Sequence, residues 1–245
     1  MVSKILNAGD KIDIRIYQKE EVEGRIDRSR VYKSVIYDIL DNGNLEIAMP
    51  TENGKMILLS LGVRYEMVFY TKLGLYRCAA QVKERYKSDN LYMLLMEVRS
   101  QISKFQRREY FRFSCTMDME MMTILEEEAK NILADDIYTA YKEKEPFLIM
   151  LPAVAVDLSG GGIRFISSEP GKKNDYLLIK LRLENENINK ELKLSGKLLQ
   201  CNKLDTDIDK YEYRVQFILN DAGTREIIIK YIFDEERKNR KNKGL

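Results

Sequence analysis

Two short runs in this sequence combine residue types and spacings that could do chemistry. The first is Gln106-Arg107-Arg108-Glu109-Tyr110-Phe111-Arg112. Arg108 and Arg112 stand four apart, which puts both guanidinium groups on the same side of a strand or of a helix. Two convergent planar forks suit a ligand with paired anionic or acceptor groups. Arginine takes phosphate bidentately, takes the O6 and N7 edge of guanine bidentately, and stacks its plane on a base. Arg107 adds a third such group, and from Lys104 to Arg112 four cations face the single acid Glu109, a local charge of +3. By itself, such a cluster is also what a solvated surface carries.

The second run is Asp157-Leu158-Ser159-Gly160-Gly161-Gly162, set between the apolar segment Ala153–Val156 and Ile163-Arg164-Phe165-Ile166. Three glycines between two strands are what a tight hairpin with positive φ angles uses. Alternation adds a functional reading, because Asp157 and Ser159 are two apart in a strand and share a face. A carboxylate there can accept hydrogen bonds from the N1–H and amino group of a guanine, and Gly162 would let a ligand approach the backbone. A phosphate-binding P-loop is excluded, since no Lys-Ser/Thr follows the glycines.

Composition narrows the chemistry. The chain has no histidine, so the usual general base near neutral pH and the commonest metal ligand are both missing. No paired carboxylates are positioned to act as acid and base, and the expectation is a protein that is not an enzyme. Cys78, Cys115 and Cys201 are too far apart for a C-x-x-C pair and are odd in number, which speaks for free thiols. A net charge of +2 gives little overall field for a long polyanion, so DNA is not an expected partner. Met1 to Lys11 has no long apolar core, and no apolar run approaches the roughly 20 residues that span a bilayer. A cytoplasmic location without a membrane span is expected.

The elements that must carry these runs are mostly strands. At 245 residues the length fits one large or two ordinary domains of about 150 residues or fewer. Lys11 to Tyr17 alternates strictly, with Ile12, Ile14 and Ile16 on one face. Strand-like segments follow at Val31–Ile39, Asn44–Ala48, Lys55–Leu61, Arg64–Thr71, Gly74–Glu84 and Leu91–Val98, separated by turn residues at 41–44, 50–54, 73–74 and 88–90. That rhythm breaks after Arg99, where a domain boundary is expected. Ile124–Lys144 reads as an inserted acidic helix with Leu125, Ala129, Ile132, Leu133 and Ile137 as a buried stripe. Strands return at Phe147–Ser159, Ile163–Ser167, Tyr176–Leu183, Glu191–Asn202 and Tyr211–Leu219, and a helix from about Ala222 to Arg240 closes the chain. The basic stretch Arg237–Lys243 reads as a frayed, solvated end.

An R-x-x-x-R followed some 45 residues later by D-x-S-x-x-G is more specific than either run alone, and the pair resembles the PilZ domain, a bacterial receptor for cyclic di-GMP. Gln106–Arg112 further resembles the domain junction of the flagellar brake family, in which a PilZ domain follows a second β-barrel. Gly9–Ile14, Tyr32–Val35, Ile47–Pro50 and Gly74–Arg77 share the look of that family's first domain, and Arg225–Phe233 that of the PilZ C-terminal helix. The resemblance implies a mainly β protein of two antiparallel barrels in tandem, the second with an inserted helix and a C-terminal helix. It implies domains at 1–103 and 104–245, the latter opening on the 104–112 junction. Arg108 and Arg112 would hold guanine and phosphate groups, Asp157, Ser159 and Gly162 would close over the ligand, and Arg107 would favour a stacked pair of ligands. The implied role is a cyclic di-GMP receptor, without a cofactor, that changes interdomain orientation and regulates motility through a flagellar motor or export-apparatus protein at the basal body. The competing reading is a two-barrel module for a protein or RNA partner that binds no nucleotide. The acidic insertion, with nine acids and three bases over Asp118–Glu145, would either lie near the basic junction and weaken anion binding or be a surface excursion.

Overall fold

The computed structural model describes residues 4–17, 30–145, 147–206, 209–242 and 244. The chain divides into two compact units, Met1–Arg107 and Arg108–Leu245.

The first unit contains β1 (Lys11–Ile16), β2 (Tyr32–Ile39), β3 (Leu45–Ala48), the short pair β4 (Thr51–Glu52) and β5 (Lys55–Met56), β6 (Arg64–Thr71), β7 (Gly74–Ser88), β8 (Leu91–Val98) and β9 (Ser103–Lys104). Strands β6-β1-β2-β3-β8-β7 form a ring that the β6–β7 pairing closes, and β9 adds to the edge of β7. Every pairing is antiparallel. The alternation of β1 does what its sequence requires, with Ile12, Ile14 and Ile16 packed into a core that also holds Leu45, Met67, Phe69 and Leu94.

The turn chemistry also follows sequence: Asn53 and Gly54 have φ of +50° and +75° and join β4 to β5 in a two-residue hairpin, the conformation that Asn-Gly favours. The strand expected over Lys55–Leu61 is cut short after Met56. There Leu58 and Leu61 are exposed and only Leu59 is buried. The main-chain N–H of Ser60 donates to the Tyr65 hydroxyl at 3.0 Å instead of joining a ladder.

The second unit contains β10 (Arg112–Ile124), α1 (Glu126–Asn131), α2 (Ala134–Lys144), β11 (Leu151–Ser159), β12 (Gly162–Ser167), β13 (Tyr176–Glu184), β14 (Asn189–Lys203), β15 (Tyr211–Ile218) and α3 (Ala222–Asn242). The six strands close into an antiparallel barrel in the order β10-β11-β12-β15-β14-β13. Asp221 immediately precedes helix α3, and its carboxylate accepts the Thr224 N–H at 2.7 Å, the side-chain cap that the first turn of a helix needs. It then lays Ile228, Tyr231 and Ile232 on the barrel core, where Tyr231 meets Phe113 edge to face at 6.3 Å. The helix runs on to Asn242, so the basic stretch from Arg237 is helical and solvated rather than frayed; Lys243 lies outside the described residues.

The inserted segment differs most from its sequence reading. One helix with a five-residue stripe was expected, and two short helices are found, broken where Ile132 takes an extended conformation (φ −118°, ψ 144°). The break resets the helical phase. Ala129 and Ile137 stay buried in a small core with Ile124, Met150, Tyr176 and Leu178, whereas Leu125, Ile132 and Leu133 point to solvent. The segment follows Ile124, while Arg112 opens the same thirteen-residue strand. At roughly 3.3 Å per residue the two ends of β10 lie up to about 40 Å apart along the chain. The acidic helices pack on β13 and β14, at the far end of the strand from Arg112, as a surface excursion would.

Candidate functional site

The register of the second barrel assembles the two sequence runs. Arg112 pairs with Ser159, Ser159 with Gly162, and Gly162 with Gln216, so one row crosses β10, β11, β12 and β15. Two residues along, Ser114, Asp157, Arg164 and Arg214 form a second row. Between them Phe113, Leu158, Ile163 and Val215 point into the core. Because paired residues share a face and neighbours alternate, both polar rows lie on the outer wall at one end of the barrel. Arg112, Asp157, Ser159 and Gly162, which the sequence singled out, are thus brought together on adjacent strands. Arg108 lies just before β10 and is exposed.

Arg107 falls in the first unit, where its guanidinium donates to the Tyr70 hydroxyl at 3.3 Å and lies 3.7 Å from the Asp13 carboxylate. Tyr70 in turn donates to Asp13 at 2.6 Å, and that bond, ahead of burial, raises the Tyr70 hydroxyl above its ordinary pKa.

Asp157 is already engaged. Arg164 donates through Nε to its carboxylate at 2.5 Å and through Nη1 to Glu212 at 2.7 Å, and Arg214 reaches the other Glu212 oxygen through Nε and Nη2 at 3.0 and 2.9 Å. Burial alone would raise the Glu212 carboxyl, but the hydrogen bonds from Arg164 and Arg214 outweigh it and hold the group below the usual carboxylate range. The chain of alternating charge engages Asp157 through Oδ2. Ser159 is 9% exposed, and its hydroxyl donates to the Gly162 carbonyl across the turn at 3.0 Å. Its lone pairs are left for a further donor. Cys115 lies partly buried near Asp157, and burial, reinforced by that carboxylate, pushes its thiol up to about 11, far from a nucleophile's range.

The glycines do a different job from the one their sequence suggested. None of Gly160, Gly161 and Gly162 has a positive φ; what each needs is room. A Cβ on Gly162 would fall 2.3 Å from the Val215 carbonyl oxygen, so the close approach there is to β15 of the barrel itself. On Gly160 and Gly161 it would fall 2.8 and 2.9 Å from the ring of Tyr110. Tyr110 lies across the diglycine turn, and Arg225 of α3 donates to its hydroxyl at 3.0 Å.

Sequence reasoning passed over Arg164, Glu212, Arg214, Tyr110 and Arg225. Arg164 was within reach, since a two-residue loop at 160–161 necessarily sets Asp157 opposite residue 164. Tyr110 and Arg225 are 115 residues apart, and no local pattern joins them. A groove of about 750 Å³ lies elsewhere on this barrel, along Pro152, Val154, Ile166, Lys180 and Arg182. It includes none of the candidate residues, and its Lys180 is paired with Glu120 at 2.7 Å. Among the described residues no cluster of three or more cysteine or acidic side chains could hold a metal ion, and no helix is long and apolar enough to cross a membrane.

The fold and this polar end define a tandem of two six-stranded barrels in which the second carries an arginine-rich approach beside an Asp-Ser-Gly hairpin. The same division appears in comparison with known families. Residues 106–234 match the PilZ domain, and residues 7–98 match the N-terminal module described as flagellar protein YcgR. The chain therefore belongs to the PilZ domain family, in the tandem form of the flagellar brake proteins. No curated protein matches it in sequence. Among solved structures it is similar to the inhibitor of motility MotI/DgrA from Bacillus subtilis, with 17% identity and a TM-score of 0.69 over 96% of this chain and 100% of that one. YcgR from Escherichia coli, solved in complex with c-di-GMP, matches at 14% identity and a TM-score of 0.48 over 96% and 88%.

Proposed function

We propose that this protein is a receptor for cyclic di-GMP that acts by binding and not by catalysis. The observation that carries the reading is the outer row in which Arg112, Ser159 and Gly162 are register partners, with Asp157 in the next row. An arginine fork, a preset carboxylate and a serine oxygen on adjacent strands can meet the O6/N7 edge, the N1–H and amino group, and a phosphate of one guanine nucleotide. The PilZ match spans both motifs, and the E. coli YcgR structure contains this ligand.

Arg108 and Arg107 complete the arginine set in this proposal, with Arg107 leaving Asp13 and Tyr70 to reach the ligand. Binding would then favour one orientation of the two barrels, because a ligand shifts a conformational equilibrium only through its differential affinity for the two states. The altered surface would act on a flagellar motor or export component from the cytoplasm at the basal body. That step rests on the match of residues 7–98 to a flagellar protein. Titration calorimetry with cyclic di-GMP at moderate salt tests the receptor reading: saturable heat at micromolar ligand is expected, and its absence overturns the reading.

A further inference from the structure

Resting on that reading, we propose that Tyr110 is a positioning residue for the arginine motif, latching it to the glycine hairpin through α3. The ladder of β10 begins at Arg112, and residues 109–111 before it are irregular. Strand pairing therefore fixes the second arginine of the motif and stops short of the first. In this gap Phe111 turns outward, 56% exposed, and Tyr110 turns inward. Its ring covers Gly160 and Gly161 so closely that a methyl group on either would collide with it. Its hydroxyl accepts from Arg225 Nη1, whose guanidinium carbon lies 5.4 Å from the ring centroid. Ile229, one turn further along α3, also packs close to Gly160.

The centre of R-x-x-x-R is thus clamped to the centre of D-x-S-x-x-G by a side chain that belongs to neither signature. The spacing between the two halves of the site follows from that clamp. Without the ring, the segment carrying Arg108 would sample many positions, and ligand would have to supply the ordering entropy.

The test compares the full chain with Tyr110→Ala, Tyr110→Phe, Arg108→Ala and the Tyr110→Ala/Arg108→Ala double variant, by cyclic di-GMP calorimetry and thermal melts. Tyr110→Ala should bind at least tenfold more weakly while still melting cooperatively. Tyr110→Phe, which keeps the ring, should return to within about threefold of the parent. In the Arg108→Ala background Tyr110→Ala should cost less than threefold more, since a positioning residue loses its effect when the group it positions is gone. Binding by Tyr110→Ala within threefold of the parent overturns the proposal, and so does a full tenfold loss that persists in the double variant. If Tyr110→Ala does not fold, Gly161→Ala replaces it, with a threefold or greater loss expected and an unchanged affinity overturning the latch. If the parent chain binds no cyclic di-GMP, the receptor reading fails, and limited trypsin digestion judges the latch separately. Cleavage after Arg107 or Arg108 should be at least fivefold faster in Tyr110→Ala than in the parent or Tyr110→Phe, and equal rates overturn it.

Discussion

At the polar end of the second barrel the proposed ligand role falls to Arg112, while Glu212 serves the fold. Arg112 is exposed and makes no ion pair among the described residues, so removing it should leave the fold alone. Arg112→Ala is expected to weaken cyclic di-GMP binding by about 1–3 kcal/mol, the scale of a lost bidentate base contact, with no change in melting temperature; calorimetry beside a thermal melt checks both. Glu212 instead ties Arg164 and Arg214 together, and its carboxyl is depressed in the folded state. A group of that kind stabilises the fold above its unfolded pKa and loses the effect as pH falls through the folded one. The melting temperature should hold from neutral pH down to roughly pH 5 and then fall through the acid range. Glu212→Gln should be less stable by about 1 kcal/mol at neutral pH, a charge-assisted bond discounted for its solvent exposure. Its gap from the parent should narrow as the pH approaches about 3, and melts across that range measure it.

At the scale of elements, the hairpin between β11 and β12 is specified by space. Since Gly161 has no positive φ, alanine is acceptable to its backbone, and the obstacle is the Tyr110 ring at 2.9 Å. Gly161→Ala should therefore destabilise the second unit by about 1–3 kcal/mol, the cost of overpacking. That cost should largely vanish when Tyr110 is alanine, which a double-mutant cycle of chemical denaturation reads directly. The insertion teaches the converse. Its helical composition was plain, but a break at Ile132 and Leu133 depends on what β13 and β14 offer beneath it. Ala129 and Ile137 are buried because β13 supplies Tyr176 and Leu178.

For the whole molecule, the prediction concerns shape. If cyclic di-GMP engages Arg107 of the first unit together with residues of the second, small-angle scattering at saturating ligand should give a different radius of gyration and a different distance distribution from the free chain. Superimposable curves would leave a receptor whose output does not pass through reorientation. The near-neutral total of +2 combines a cationic approach to β10, an acidic insertion and a basic helical end, so these local fields and not the net charge set which anions are drawn to which surface.

Alternation and turn residues determined most of the architecture from the sequence alone. Strands such as Arg64–Thr71 and Leu91–Val98 have the expected ends, because a strand with one wet and one buried face is a local property of period two. The two motifs were equally local, and Asp157 with Ser159 on one face followed from spacing. Only the tertiary structure decided what surrounds them. That Glu212 bridges Arg164 from β15, that Gly162 yields to the backbone of β15, and that Tyr110 and Arg225 clamp the diglycine turn are contacts between strands and helices far apart in the chain. A sequence fixes which residues can share a face over a few positions, while closure of the barrel decides which distant side chains fill the space beside them.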